Sequence, residues 1–270
     1  MPLCLGRRGS FLVSYADIVI RGGTVFTFDS AQPWADAVAI TDGTIAAVGA
    51  ASDVAGLVGA GTRVVDLAPE AFVLPGFIDA HSHYIDGPIE VAGVVLSECD
   101  TLDEIERVLR DYRPEDGLVR GGGWRTHIFP DGPHRRILDN IYGDMPVVLR
   151  EINSHSLWVN SAALARAGIT AATPDPEPGY SMFVRDDRGE PTGWVLEAEA
   201  MEMIRSAVAP TTVESARSEL LAAQSGYAAA GLTGVFDAGN FIIDEWQAWE
   251  MVLDLDQQGK IGQRVVAAKA

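Results

Sequence analysis

The sequence predicts an α/β fold in two parts, a small all-β module followed by a parallel α/β unit. Three observations predict it. Over residues 17–67, short apolar segments are separated by turn signals at close intervals. At Ala71 this gives way to a near-continuous apolar run ending in polar residues, a pattern that suits a parallel strand buried on both faces. Towards the C-terminal end, helical periods alternate with short apolar strands.

Composition narrows the function classes. The chain has 270 residues, 47% of them apolar, and no low-complexity tract, so it is globular with room for one or two domains. A net charge of −18 argues against nucleic acid or an anionic membrane as partner, since both require basic surface. The charge is read here as a solubility device. The only lysines are Lys260 and Lys269, a bias without a functional account. Two cysteines, Cys4 and Cys99, do not make a disulfide framework, and a reducing cytoplasm fits as the location. Residues 1–15 carry Arg7, Arg8 and a short apolar Phe11-Leu12-Val13, too brief for a signal peptide. They read as an N-terminal extension. No apolar run approaches a membrane span.

The elements follow in order. Asp17 to Ile20 and Thr24 to Phe28 flank Gly22-Gly23 in a hairpin pattern. Ala37 to Ile40 and Thr44 to Val48 flank Asp42-Gly43, a type I′ turn signal. Arg63 to Leu67 is a further strand, which places the module at 16–71. Phe72-Val73-Leu74 then leads through Pro75-Gly76 to the run from Phe77 to His83. Residues 101–112 read as a helix: Leu102, Ile105, Val108 and Leu109 share a face, and Thr101 with Glu104 forms a capping box. The stretch from about 113 to 205 is rich in Gly and Pro and reads as an irregular insertion. Within it lie a strand at Pro146–Glu151 and a short helix between Asn160, a good N-cap, and Gly168, a good stop. A long helix from Val213 to Ala230, boxed by Thr211 and Glu214, precedes the strand Gly234-Val235-Phe236 and Asp237. A helix near Glu245–Gln257 and a strand at Arg264–Ala268 close the chain.

The chemistry concentrates at His81 and His83. Two residues apart on a strand, both imidazoles face one side at its C-terminal end, where α/β barrels carry their sites. Two neutral imidazoles so placed chelate zinc or a similar ion. Asp79 has the same parity and can orient a ligating ring. The alternative is two ordinary surface histidines where a strand meets a loop. The preceding apolar strand and Pro75-Gly76 turn favour the metal.

The all-β module followed by Val73 to His83 resembles the entrance of the amidohydrolase superfamily. Further motifs resemble amidohydrolase family 3, the group that includes the N-substituted formamide deformylases. They are Gly122-Gly123-Trp124, Leu138-Asp139, Pro146-Val147, His155 to Ser161 with Ala163-Leu164, Pro191-Thr192-Gly193 with Leu196-Glu197, and Gly231 to Val235. The resemblance runs from Ala16 onward. It implies a split β-sandwich before a TIM-type (β/α)8 barrel, with His81 and His83 holding a divalent metal, zinc. It implies hydrolysis of a non-peptide C–N bond by metal-activated water, with a small-molecule amide as substrate. Two departures bear on that substrate: Asn153-Ser154 stands where the family has Asp-Gly, and Arg125-Thr126 where it tends to have an acid.

The remaining candidates have two readings each. By the resemblance, His155 lies near the substrate; it could bond a carbonyl or developing oxyanion, or cap the helix at Asn160. Glu197 is a pocket acid or a helix-start carboxylate. Trp124 walls a pocket or fills the core. Asp237 ends a barrel strand, where catalytic groups sit, or caps a helix. His127 and His134 read as solvent-facing. Gly22-Gly23 and Gly121 to Gly123 lack the spacing of a phosphate loop.

A catalytic zinc site takes three protein ligands, yet no histidine follows His155. The family's later ligands, a carboxylated lysine, two histidines and a general acid/base aspartate, have no counterpart up to Ala270. The residues from Phe72 on are also fewer than the roughly 250 of a (β/α)8 barrel. The expectation is an incomplete barrel over 72–270 behind an incomplete sandwich, inactive as it stands. A non-catalytic regulatory or binding protein on the same scaffold is the alternative, and a homo-oligomer stays open.

Overall fold

The structure, a computed structural model, describes residues 15–114 and 117–267. Cys4, Lys269 and the expected end of the last strand at Ala268 lie outside the described residues. The chain divides into two compact units after Gly76, rather than after Ala71.

The first unit holds β1 (Ile18–Phe26), β2 (Trp34–Thr41), β3 (Thr44–Gly49), a short α1 (Ala51–Val54), β4 (Arg63–Asp66) and β5 (Phe72–Val73). The sheet order is β3-β2-β1-β4, with β5 also on β1. That last pairing draws Phe72 and Val73 into this unit. The Asp42-Gly43 turn joins β2 and β3 as expected, with φ of 50° and 69°. Gly22-Gly23 does not turn a hairpin. β1 runs through it with a register shift between Arg21 and Val25. The cause is crowding: a Cβ on Gly22 would lie 2.8 Å from the Leu67 carbonyl oxygen, and one on Gly23 2.5 Å from that of Ala71. The pair marks a bulge where two chain segments touch. Ala16, Val19, Ala37, Ala39 and Val54 form this unit's core.

The second unit begins with β6 (Phe77–Ser82), α2 (Asp86–Val91), β7 (Val94–Val95), α3 (Leu102–Asp111), β8 (Val119–Trp124) and α4 (Arg135–Tyr142). It continues through β9 (Val147–Glu151), β10 (Ser156–Val159), α5 (Ser161–Arg166), β11 (Met182–Arg185), β12 (Pro191–Leu196) and α6 (Ala198–Val208). It closes with α7 (Val213–Ala229), β13 (Leu232–Asp237), α8 (Glu245–Gln257) and β14 (Arg264–Ala267). No described helix is long and apolar enough to cross a membrane.

One sheet has the order β11-β12-β10-β9-β8-β7. Its strands from β7 to β9 are parallel and the rest antiparallel. Both faces are buried, and period two shows it: Val147, Leu149 and Trp158 enter one core with α3 and α4, while Val148, Leu157 and Val159 enter another with α5 and α6. The expected irregular insertion is therefore corrected: 113–205 builds most of a sheet. Its strands escape a pattern search because they are short, and β8 reads Val-Arg-Gly-Gly-Gly-Trp, with almost no side chains to alternate.

The other sheet is the parallel set β14-β13-β6. α7 and α8 cover one face, packing Ala216, Leu220, Ala248, Met251 and Leu255 against Val235 and Tyr84. β6 is not buried as expected. Among the described residues it pairs only with β13, and Phe77 and Ile78 are 58% and 74% exposed. Among the described residues no barrel closes.

The capping box of Thr101 and Glu104 and the Asn160 cap form as expected, with Asn160 accepting from the Ala163 N–H at 3.0 Å. α7 starts at Val213 as expected, but its capping box lies one residue later, formed by Thr212 and Ser215 rather than Thr211 and Glu214.

Candidate functional site

The His81 and His83 rings stand 5.7 Å apart between centroids and nearly perpendicular. Both residues are exposed. The Gly239 carbonyl accepts from His83 Nδ1 at 2.9 Å. That bond places the proton on Nδ1 and leaves Nε2 as a free lone pair, the form that ligates metal. Asp79 is corrected in role: its Oδ1 accepts the His81 main-chain N–H at 3.0 Å rather than a ring N–H. It shapes the strand end.

Asp237 is fully buried and neither lies open to substrate nor caps a helix; Asp244 caps α8. Its Oδ2 accepts from the Tyr84 N–H at 2.9 Å and its Oδ1 from the Gly239 N–H at 2.8 Å. Tyr84 follows His83, and Gly239 carries the carbonyl bonded to the His83 ring. Asp237 therefore positions His83 from two sides. Burial pushes its carboxyl above the usual range, against the pull of these N–H bonds.

A cavity of about 420 Å³ opens beside His83, and His155, Glu197, Asp86, Arg150 and Arg205 also line it. The structure thus brings His155 and Glu197 to the same cavity as His83. His155 Nδ1 lies 3.1 Å from Glu197 Oε2, and the Asn160 cap leaves His155 no capping role. Glu197 starts α6 without a side-chain capping bond and has φ 64°; Ser154 has φ 73°. Both are positive-φ conformations that few non-glycine residues adopt, and each carries a backbone cost. The Glu197 charge holds the neighbouring Tyr180 phenol above its usual pKa.

Trp124 is a further correction. Its ring is fully buried against Phe129 and Trp158, and its Nε1 donates to the Leu149 carbonyl at 3.0 Å. It is core. His127 is exposed, but His134 is half-buried and caps α4 through Nδ1.

Asp86, Glu90, Arg150 and Arg205 line the cavity and escaped the sequence reading. Asp86, one turn beyond His83, is 2% exposed; its Oδ2 accepts from the Phe241 N–H at 2.7 Å while Oδ1 has no partner. Burial raises its pKa most, with the Asp237 charge adding to it; the Phe241 N–H, His83 and Arg205 pull the other way. Arg150 pairs with Glu90, and burial brings its guanidinium down to about 10, helped by the charge of Arg205. Only Asp86 had a usable signal, as an acid close behind a histidine pair.

The donor set fits a metal in part. His83 presents a prepared Nε2 and His81 stands beside it, but among the described residues no group of three His, Cys, Asp or Glu side chains comes together.

The amidohydrolase family profile matches residues 63–270, and the chain belongs to that family. It is 35% identical over 234 residues to the N-substituted formamide deformylase of Arthrobacter pascens, covering 82% of this chain and 42% of that protein. It is 30% identical over 257 residues to the exoenzymes regulatory protein AepA of Pectobacterium carotovorum subsp. carotovorum, covering 92% and 54%. The fold matches the crystal structure of an uncharacterized metal-dependent hydrolase from Pyrococcus horikoshii with a TM-score of 0.66 at 22% identity, over 93% of this chain and 48% of that one. The chain spans about half the length of the curated relatives it matches.

Proposed function

We propose that the whole protein hydrolyses a non-peptide amide bond with a divalent metal, zinc, held in part by His81 and His83. The observation that carries this reading is the histidine pair itself, with the Gly239 carbonyl committing His83 Nδ1 and freeing Nε2. A bound zinc ion polarises a carbonyl and activates water. The chain's own residues hold and orient: Asp237 fixes the loop behind His83, and His155 and Glu197 meet a small amide in the neighbouring cavity. Two imidazoles fall short of the three protein donors of a catalytic zinc site, so the reading requires a further donor from outside the described residues. The family membership and the similarity to a formamide deformylase support the amide as substrate.

The test is His81→Ala with His83→Ala in the full-length protein. Zinc content should fall below stoichiometric, and hydrolysis of a panel of N-substituted formamides should drop by about 10³-fold or more, the scale of several kcal/mol of metal stabilisation. Unchanged zinc and turnover would sink the proposal. The similarity to a regulatory protein favours a second reading, a non-catalytic regulator on this scaffold. A full-length protein that binds zinc yet turns over no amide would support it.

A further inference from the structure

We infer that Glu197 holds His155 as the Nδ1–H tautomer, so that the His155 ring presents Nε2 as an acceptor and the cavity selects amides that carry an N–H. The substrate half of this inference rests on the amide reading above; the tautomer half does not.

A carboxylate only accepts, so the 3.1 Å contact between His155 Nδ1 and Glu197 Oε2 puts the ring proton on Nδ1. In the neutral imidazole, Nε2 is then a lone pair. Neutral His155 cannot donate to a substrate carbonyl, and the oxyanion-donor role expected from the sequence becomes an acceptor role. Two main-chain bonds support the pair. The Glu197 N–H donates to the His155 carbonyl at 3.0 Å, and the His155 N–H donates to Asn153 Oδ1 at 2.9 Å. The positive φ of Ser154 and Glu197 brackets the arrangement on both chain segments, a cost that persists only where the surroundings impose it. The His155 side chain remains 67% exposed, open to a ligand, while Glu197 behind it is 24% exposed.

A second acceptor lies within the wall of the same cavity. Asp86 lines the cavity, is 2% exposed, and leaves Oδ1 without a donor. That oxygen is itself buried, so the selection rests on His155 Nε2, which accepts from a substrate N–H. A secondary amide has that donor; its N-methylated counterpart does not. Glu197 is the positioning residue, and His155 is the group that touches substrate.

The experiment uses full-length protein with ¹⁵N-labelled histidine. Ring nitrogen shifts, assigned by loss of the signal in His155→Ala, should show a protonated Nδ1 and an unprotonated Nε2 on His155. Glu197→Gln should return that ring to a mixture of tautomers. Equilibrium binding should favour N-butylformamide over N-butyl-N-methylformamide by about 10-fold. The preference should vanish in His155→Ala, whose exposed position spares the fold. A protonated Nε2 on wild-type His155, or equal affinity for the two amides, overturns the inference. Absence of both binding and turnover with either amide refutes the amide reading instead, and the tautomer then decides this inference alone.

Discussion

The six-stranded sheet buries apolar side chains on both faces, whereas the three-stranded sheet that carries His81 leaves Phe77, Ile78 and Phe236 exposed. Both sheets pack helices, but only the first is covered on both sides. Stability concentrates where cover is complete, and His81, with His83 just beyond it, stands at the end of a strand that has one neighbour among the described residues. That division suits a site: a rigid, dry sheet frames the cavity from the side of His155, and an open strand end offers imidazoles to an ion.

The largest effect should come from the covered sheet. Trp124→Ala removes a fully buried ring and should cost about 3–5 kcal/mol, read as a lower denaturation midpoint. Zinc affinity of the folded fraction should not move. A loss of metal at unchanged stability would mean that Trp124 belongs to the site after all. Asp237→Asn comes next. Replacing one acceptor oxygen by a donor opposes an N–H of Tyr84 or Gly239, for about 1–3 kcal/mol. It should also weaken zinc binding by about 10–100-fold, the range for groups that orient a ligand. Competition titration against a chelator measures this, and full affinity in the variant would break the link from Asp237 to His83.

A smaller effect is acid dependence in the covered sheet. Burial alone would push Asp175 up, but bonds from Arg185 and the Phe183 N–H hold its carboxyl below the usual range. Its folded pKa lies below its unfolded one, so its contribution is complete above the ordinary carboxylate range and is lost as pH falls through the folded value. Asp175→Asn should flatten the acid limb of a stability–pH profile; an unaltered limb would discount the pair. The smallest change should be Ile78→Thr on the open strand. At 74% exposure it should shift stability by no more than about 0.5 kcal/mol, and a penalty several times larger would show that this strand is covered in solution.

Legibility in the sequence followed the same division in reverse. The parallel set was readable because its elements are regular: Gly234 to Phe236, the helix ending at Gln257, and the histidine pair at a strand end all stand out by period or spacing. Of the covered sheet only β9 was read, as Pro146–Glu151, and the other strands were hidden. The glycines of β8 carry no alternation, because neighbouring backbone occupies the space; a side chain at Gly121 would run into the Val94 carbonyl. Gly22-Gly23 misled for a related reason, since a hairpin turn and a crowded bulge both ask for glycine. In the site, His155 and Glu197 could be nominated separately, but not as a pair. They are joined by antiparallel pairing of β10 with β12, a contact between residues 42 positions apart. Asp237 had the right residue type at the right place and still acquired a different task, because the hydrogen bonds that occupy it come from main-chain groups that no side-chain pattern encodes.

The left-handed backbone at Glu197 has a consequence for protein engineering. Glycine adopts that conformation without penalty, so Glu197→Gly should relieve about 1–3 kcal/mol of strain while deleting the carboxylate that holds His155. A directed-evolution campaign selecting only for heat tolerance would therefore enrich glycine at this position, and its winners would be hardier proteins with a disoriented imidazole in the cavity.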